Sequence, residues 1–220
     1  MFTEKVIAFL TELSQNNNRE WFNANKSKYQ AANQEIKEAV LKLSPEINLF
    51  DPKIGNQDPK DCMFRIYRDV RFSHDKSPYK TNMGAVFAPG GRKSIKPCYY
   101  LHIEPGGCFL SGGIYMPETP VLKLLRKEIY YNSAEFKGII NDKGFKKAFP
   151  AGLSGEKLKN PPKDFPADFP EIELLKHKHY FVIHEIKDSE LSSKDFFKKV
   201  MEVFKQLKPM NDFLNRAFEN

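Results

Sequence analysis

The spacing of hydrophobic residues changes twice along this chain, and those two changes restrict its fold more than any other feature. Up to about residue 45 the apolar residues recur every three or four positions. From Cys62 to Met116 they alternate, and beyond Thr119 the helical spacing returns. Helices, then a run of strands, then helices again predict an α+β fold in which an antiparallel sheet carries segregated helices.

Phe2, Val6, Phe9, Leu10 and Leu13 predict an amphipathic helix from about Thr3 to Ser14, capped by Thr3. Asn18 caps a second helix that runs to about Leu43 on Trp21, Phe22, Tyr29, Ile36 and Val40, with Pro45 closing the pattern. The two are expected to pair as a helical hairpin over residues 1–45, with Trp21 and Phe22 as core anchors.

Residues 62–116 read as the core strands, over Cys62–Phe72, Thr81–Ala88, Pro97–Glu104 and Cys108–Met116. In the first, Phe64, Ile66, Val70 and Phe72 share one side, and Arg65, Tyr67, Asp69 and Arg71 the other. Arg68 falls on the apolar side, so it is either half-buried against a carboxylate or displaced by a bulge. Gly112 and Gly113 are expected to lie under cross-strand aromatic rings rather than around a ligand.

Thr119–Pro120 opens a helix to about Tyr131, and Ser133 caps a short one. Residues 150–170 hold five of the fifteen prolines and repeat Asp-Phe-Pro, which predicts an extended arm docked by its rings rather than a flexible linker. His179–Ile186 is a late strand. Over residues 193–220, Ser193 caps a helix that Pro209 separates from a last segment ending near Phe218.

At 220 residues the chain fits one domain spanning residues 1–220. Its 35 basic against 28 acidic residues, a net charge of +7, favour anionic partners without naming one. No apolar run is long enough to cross a membrane, and the amino terminus, with Glu4 and Glu12 inside its apolar pattern, reads as a helix rather than a signal peptide. Cys62, Cys98 and Cys108 are odd in number and lack C-x-x-C spacing, which argues against a disulfide framework and predicts a cytoplasmic protein. His177 and His179 have no carboxylate or cysteine at ligand spacing, and no glycine-rich nucleotide motif occurs, so neither metal nor cofactor is predicted.

The densest chemistry lies between Arg65 and Gly84. Arg65, Arg68, Arg71, Lys76 and Lys80 stand against Asp69 and Asp75, with Tyr67, Phe72 and Tyr79 among them. Guanidinium forks suit bidentate pairing to carboxylate or phosphate. One reading is therefore a small-anion site formed by Arg65, Arg68, Asp69, Arg71, Asp75, Lys76, Tyr79 and Lys80. A second is an ion-pair network that fastens the turn to the sheet in a protein-interaction module, which leaves the surplus cations unexplained. Nucleic acid is a third partner class, given basic residues interleaved with aromatics. Tyr79 or Asp75 beside cations would be the proton donor or base, yet no nucleophile or general base is singled out, and enzyme activity stays open.

The stretch fits R-x-x-R-D-x-R-F-x-x-D-K-x-P-Y-K-x-x-x-G without departure, on Arg65, Arg68, Asp69, Arg71, Phe72, Asp75, Lys76, Pro78, Tyr79, Lys80 and Gly84. In this it resembles a family of hypothetical proteins, mostly bacterial, catalogued as domain of unknown function 2461. The similarity extends to Trp21–Phe22, Asn25–Lys26, Tyr29, Gly112–Gly113 and Leu175–Lys176. What the resemblance implies is where the site lies, with no particular activity, substrate or cofactor.

Overall fold

Helix α1 (Lys5–Gln15) buries Val6, Phe9, Leu10 and Leu13 along one stripe, as spacing by three and four requires. A computed structural model describes residue 2 and residues 4–219, so the proposed Thr3 cap lies outside the described residues. Asn18 caps helix α2 (Arg19–Ala24), its side chain accepting from the Trp21 amide at 2.9 Å. The single second helix expected to Leu43 is in fact two. Asn25 leaves helical geometry while its side-chain amide donates to Trp21 O at 2.9 Å, and helix α3 (Lys26–Phe50) restarts beyond it.

Pro45 does not close α3 but lies within it. The carbonyl that it leaves without an amide partner belongs to Leu41, and both residues are exposed, so water can take the place of the missing bond. The same holds at the other end of the chain. Pro209 lies inside helix α9 (Phe196–Arg216), with Lys205 exposed one turn before it, so one continuous helix replaces the two segments expected.

Between these helices come α4 (Pro59–Cys62), β1 (Met83–Phe87), β2 (Cys98–Ile103) and β3 (Cys108–Ile114). After them follow α5 (Thr119–Tyr131), α6 (Ser133–Asn141), α7 (Lys143–Ala148), β4 (Leu153–Ser154), α8 (Ile172–Leu175) and β5 (Tyr180–Ile186). The strands form one antiparallel sheet in the order β1-β2-β3-β5-β4, so the α+β expectation holds, with β5 joining late. The expected strand over 62–72 is absent. Isolated bridges, Met63 to Ala85 and Tyr67 to Tyr79, replace a ladder here, as the Asp69 carboxylate accepts from the Arg71 amide and a turn from Ser73 N to Val70 O curls the backbone. Its alternation is correspondingly broken: Ile66 is buried, whereas Phe72 is 95% exposed.

Two compact units make up the fold. One comprises the described residues of Met1–Arg92, Tyr100–Leu110 and Glu185–Glu202; the other comprises those of Lys93–Tyr99, Ser111–His184 and Val203–Asn220. In the first, α1 packs on α3 through Phe9, whose ring meets Trp21, Phe22 and Tyr29. Phe22 is buried as expected, while Trp21 is only half-buried.

In the second unit, Gly112 and Gly113 are needed for packing. A side chain at Gly112 would strike Leu207 of α9, and Gly113, at φ +97, lies against the backbone of Tyr180. In the proline-rich stretch, the rings of Phe165 and Phe169 lie 5.4 and 4.7 Å from that of Tyr130. The stretch is turned rather than extended, with Phe165 N bonded to Pro162 O and Phe169 N to Pro166 O. The cap of α5 is Glu118 rather than Thr119.

Candidate anion-binding groove

The motif folds as a pinched hairpin. Arg68 N donates to Pro78 O at 2.9 Å and Lys80 N to Ile66 O at 2.8 Å, which brings Tyr67 and Tyr79 together with ring centroids 5.4 Å apart. The Tyr79 ring is buried and stacks on Phe22 at 4.0 Å, so Tyr79 anchors the hairpin to the helical core. Burial raises its phenol above the usual pKa, which keeps it protonated at neutral pH.

The loop beyond the pinch satisfies its own charges. Arg68 pairs with Asp75, whose other oxygen accepts from the amide and hydroxyl of Ser77 at 2.9 and 2.6 Å. The Ser77 bonds, and then the Arg68 guanidinium, hold the Asp75 carboxyl well below the usual carboxylate range. Arg71 grips Asp69 with both prongs, Nε to Oδ1 at 2.9 Å and Nη2 to Oδ2 at 2.6 Å, and this bonding lowers Asp69 to about 2. Lys76 donates to Val70 O at 3.0 Å. Arg68 therefore resolves as an arginine set against a carboxylate, and Asp69 lies in the grip of one guanidinium rather than two.

Two motif cations remain, Arg65 and Lys80, and neither has a carboxylate within 4 Å among the described residues. Both line an open groove of about 640 Å³ in the first unit, together with Lys37, Lys60 and Arg92. Asp58 is its single carboxylate, and it is engaged with Lys60, from whose amide it accepts at 2.8 Å. Arg92 is held in place by donating to the carbonyls of Lys60 and Met63. Burial, and after it the charge of Arg65, lowers the Lys80 ammonium below its ordinary pKa.

Of the residues predicted for the site, Arg65 and Lys80 meet at the groove. Tyr79 and Arg68 border a smaller cleft of about 280 Å³ with Arg19, and Asp69, Arg71, Asp75 and Lys76 stay within the loop. Sequence reasoning missed Lys37, Lys60 and Arg92. One signal was available: Tyr29, Asn33 and Lys37 stand four apart on α3, which sets all three on one helix face, and all three line the groove.

The last glycine of the motif has a steric basis. A Cβ at Gly84 would lie 2.9 Å from Tyr100 Cζ and 3.0 Å from Leu101 O. Tyr100 Oη bonds His102 Nδ1 at 2.9 Å, and His102 Nε2 meets Glu104 at 3.1 Å, so both nitrogens of this histidine are occupied within the sheet. Burial pushes the thiols of Cys62, Cys98 and Cys108 up to about 12, and none is a thiolate at neutral pH. Among the described residues no three metal-ligating side chains converge, and no helix is long and apolar enough to cross a membrane.

Residues 5–213 match the family model described as a conserved hypothetical protein, DUF2461. The chain belongs to this family. No curated protein and no solved structure matches it. The DUF2461 match spans the groove and the self-paired loop alike, and so covers both halves of the motif.

Proposed function

We propose that this DUF2461 protein is a cytoplasmic binding protein that takes a small phosphate- or carboxylate-bearing ligand in the groove at Arg65 and Lys80. The observation that carries the reading is the juxtaposition of those two cations. Neither has an acidic partner among the described residues, and the charge of Arg65 weighs on that of Lys80. Like charges held together in a partly dehydrated wall repel, and an anion between them relieves the repulsion. Lys37 and Arg92 add to the same field. Three free cysteines fit a reducing compartment.

For residues 68–77 the structural reading is the better one. Both arginines there already hold carboxylates, so the loop half of the motif supports the hairpin instead of meeting the ligand.

The test is a thermal-shift screen of the wild type, Arg65→Ala and Arg71→Ala against polyphosphates, carboxylates and short oligonucleotides at two salt concentrations. A ligand at a hundred times its Kd adds about 2.7 kcal/mol of stability. Stabilisation of the wild type and Arg71→Ala, but not of Arg65→Ala, supports the groove. Equal stabilisation of all three proteins, or of none, overturns it. Preferential oligonucleotide binding that collapses with salt would point to nucleic acid instead.

A further inference from the structure

The groove that carries the proposed anion site has a second kind of wall. Phe64 borders it with 41% of its surface exposed, and the Lys80 ammonium stands 5.5 Å from the centre of its ring. An anion held by Lys80 therefore sits beside a partly exposed aromatic ring, one side of which the ammonium covers and against which Tyr100 packs edge-on at 6.1 Å. Asn33 lines the same groove from α3, and its side-chain amide has no hydrogen-bond partner among the described residues. A free carboxamide offers one donor edge and one acceptor edge side by side, which is the pattern that nucleobases present in return.

Charge and size point the same way. Lys60 is answered by Asp58, which leaves Lys37, Arg65, Lys80 and Arg92. Four cations are more than a single carboxylate or one phosphate group calls for. A volume of about 640 Å³ lies within the range of small-molecule sites and is far larger than a bare phosphate fills.

We infer that the groove takes a nucleoside di- or triphosphate, with its base against Phe64 and Asn33 and its phosphates among Arg65, Lys80 and Arg92. This rests on the anion reading above and adds the ligand class. Stacking on Phe64 supplies affinity for any base, and the Asn33 amide supplies the discrimination among bases.

Isothermal titration of the full chain with ATP, GTP, UTP and inorganic tripolyphosphate tests it, with a short single-stranded oligonucleotide as a further ligand. Tripolyphosphate carries at least as much charge as the nucleotides, so any gain over it reports the nucleoside. At least one nucleotide should bind roughly 5- to 150-fold more tightly than tripolyphosphate, the span given by one stacked base. Phe64→Ala should erase that gain, so that nucleotides and tripolyphosphate bind the variant equally, while Asn33→Ala should level the preference among the three bases. Retained tripolyphosphate binding shows that each variant is folded, and a nucleotide gain that survives Phe64→Ala overturns the inference.

If nucleotides and tripolyphosphate bind equally, the nucleoside inference falls and the anion site stands. If no anion binds, both fall. An oligonucleotide that outcompetes every mononucleotide overturns the inference in favour of a strand.

Discussion

Asn17 holds the backbone of Tyr79 on both sides: its Nδ2 donates to Tyr79 O at 2.9 Å, and its Oδ1 accepts from Tyr79 N at 3.1 Å. The residues are 62 positions apart, and the pair fastens the motif hairpin to the turn that follows α1. Asn17→Ala leaves an amide and a carbonyl without partners. Two hydrogen bonds at about 0.5–1.5 kcal/mol each set the expected loss at about 1–3 kcal/mol. Urea denaturation should show a lower midpoint at unchanged slope; an unaltered midpoint would remove the clamp from the account.

The self-paired loop makes stability depend on acid pH. Asp69 is lowered to about 2 from 3.8, and Asp75 is lowered further. Both carboxyls bind fewer protons folded than unfolded, so their stabilisation is complete above their ordinary pKa and is lost as pH falls through the folded values. The melting temperature should therefore decline as pH drops from about 4 towards 2. The double variant Asp69→Asn, Asp75→Asn should flatten that decline, and an identical decline in the variant would show that other carboxylates dominate.

Arg65→Ala should separate binding from folding. Arg65 is exposed and has no acidic partner among the described residues, so its loss should alter stability by no more than about 0.5 kcal/mol. Removing its charge also relieves Lys80, whose pKa should rise. Amine-detected NMR titration of Lys80 reads this directly, and a fall would reverse the sign of the argument.

Gly84→Ala should be costly, because the new methyl has neither the Tyr100 ring nor the Leu101 carbonyl to yield to it. Overpacking of this kind costs about 1–3 kcal/mol. Tyr100→Phe removes the hydroxyl but leaves the ring carbon and the carbonyl, so in a double-mutant cycle it should recover part of the loss. No recovery would place the clash at the ring carbon and the Leu101 carbonyl, which Tyr100→Phe leaves in place.

The α+β order was legible because period three-to-four and period two separate cleanly in this chain, and the strands from Met83 to Ile114 fell within two residues of the expected limits. The first strand was not. Phe64 and Phe72 imitate an apolar face, but spacing is blind to a carboxylate that prefers a nearby guanidinium to a sheet partner, as Asp69 does with Arg71. Both helix prolines misled for one reason. Pro45 and Pro209 are tolerated on exposed faces, where water can take the freed carbonyl, and sequence position does not report which side of a helix is wet.

For the site, the excess of cations over anions between residues 65 and 80 was readable, and it correctly implied that some of them lack a local partner. Which ones was not readable. Arg65 and Arg68 look alike in sequence, and only the pinch at Tyr67 and Tyr79 sends one to the groove and the other to Asp75. Lys37, Lys60 and Arg92 come from elements that acquire a shared surface only on folding.

The ion pairs of residues 68–77 close between positions no more than seven apart. Such a loop takes its shape from its own short sequence, in the manner of a buckle that is fastened before the strap is drawn through it. No distant carboxylate is needed to close it. Arg65 and Lys80 leave it on either side of one neck, so their spacing is set by the pinch, and Asn17 and Phe22 fix where that pinch sits.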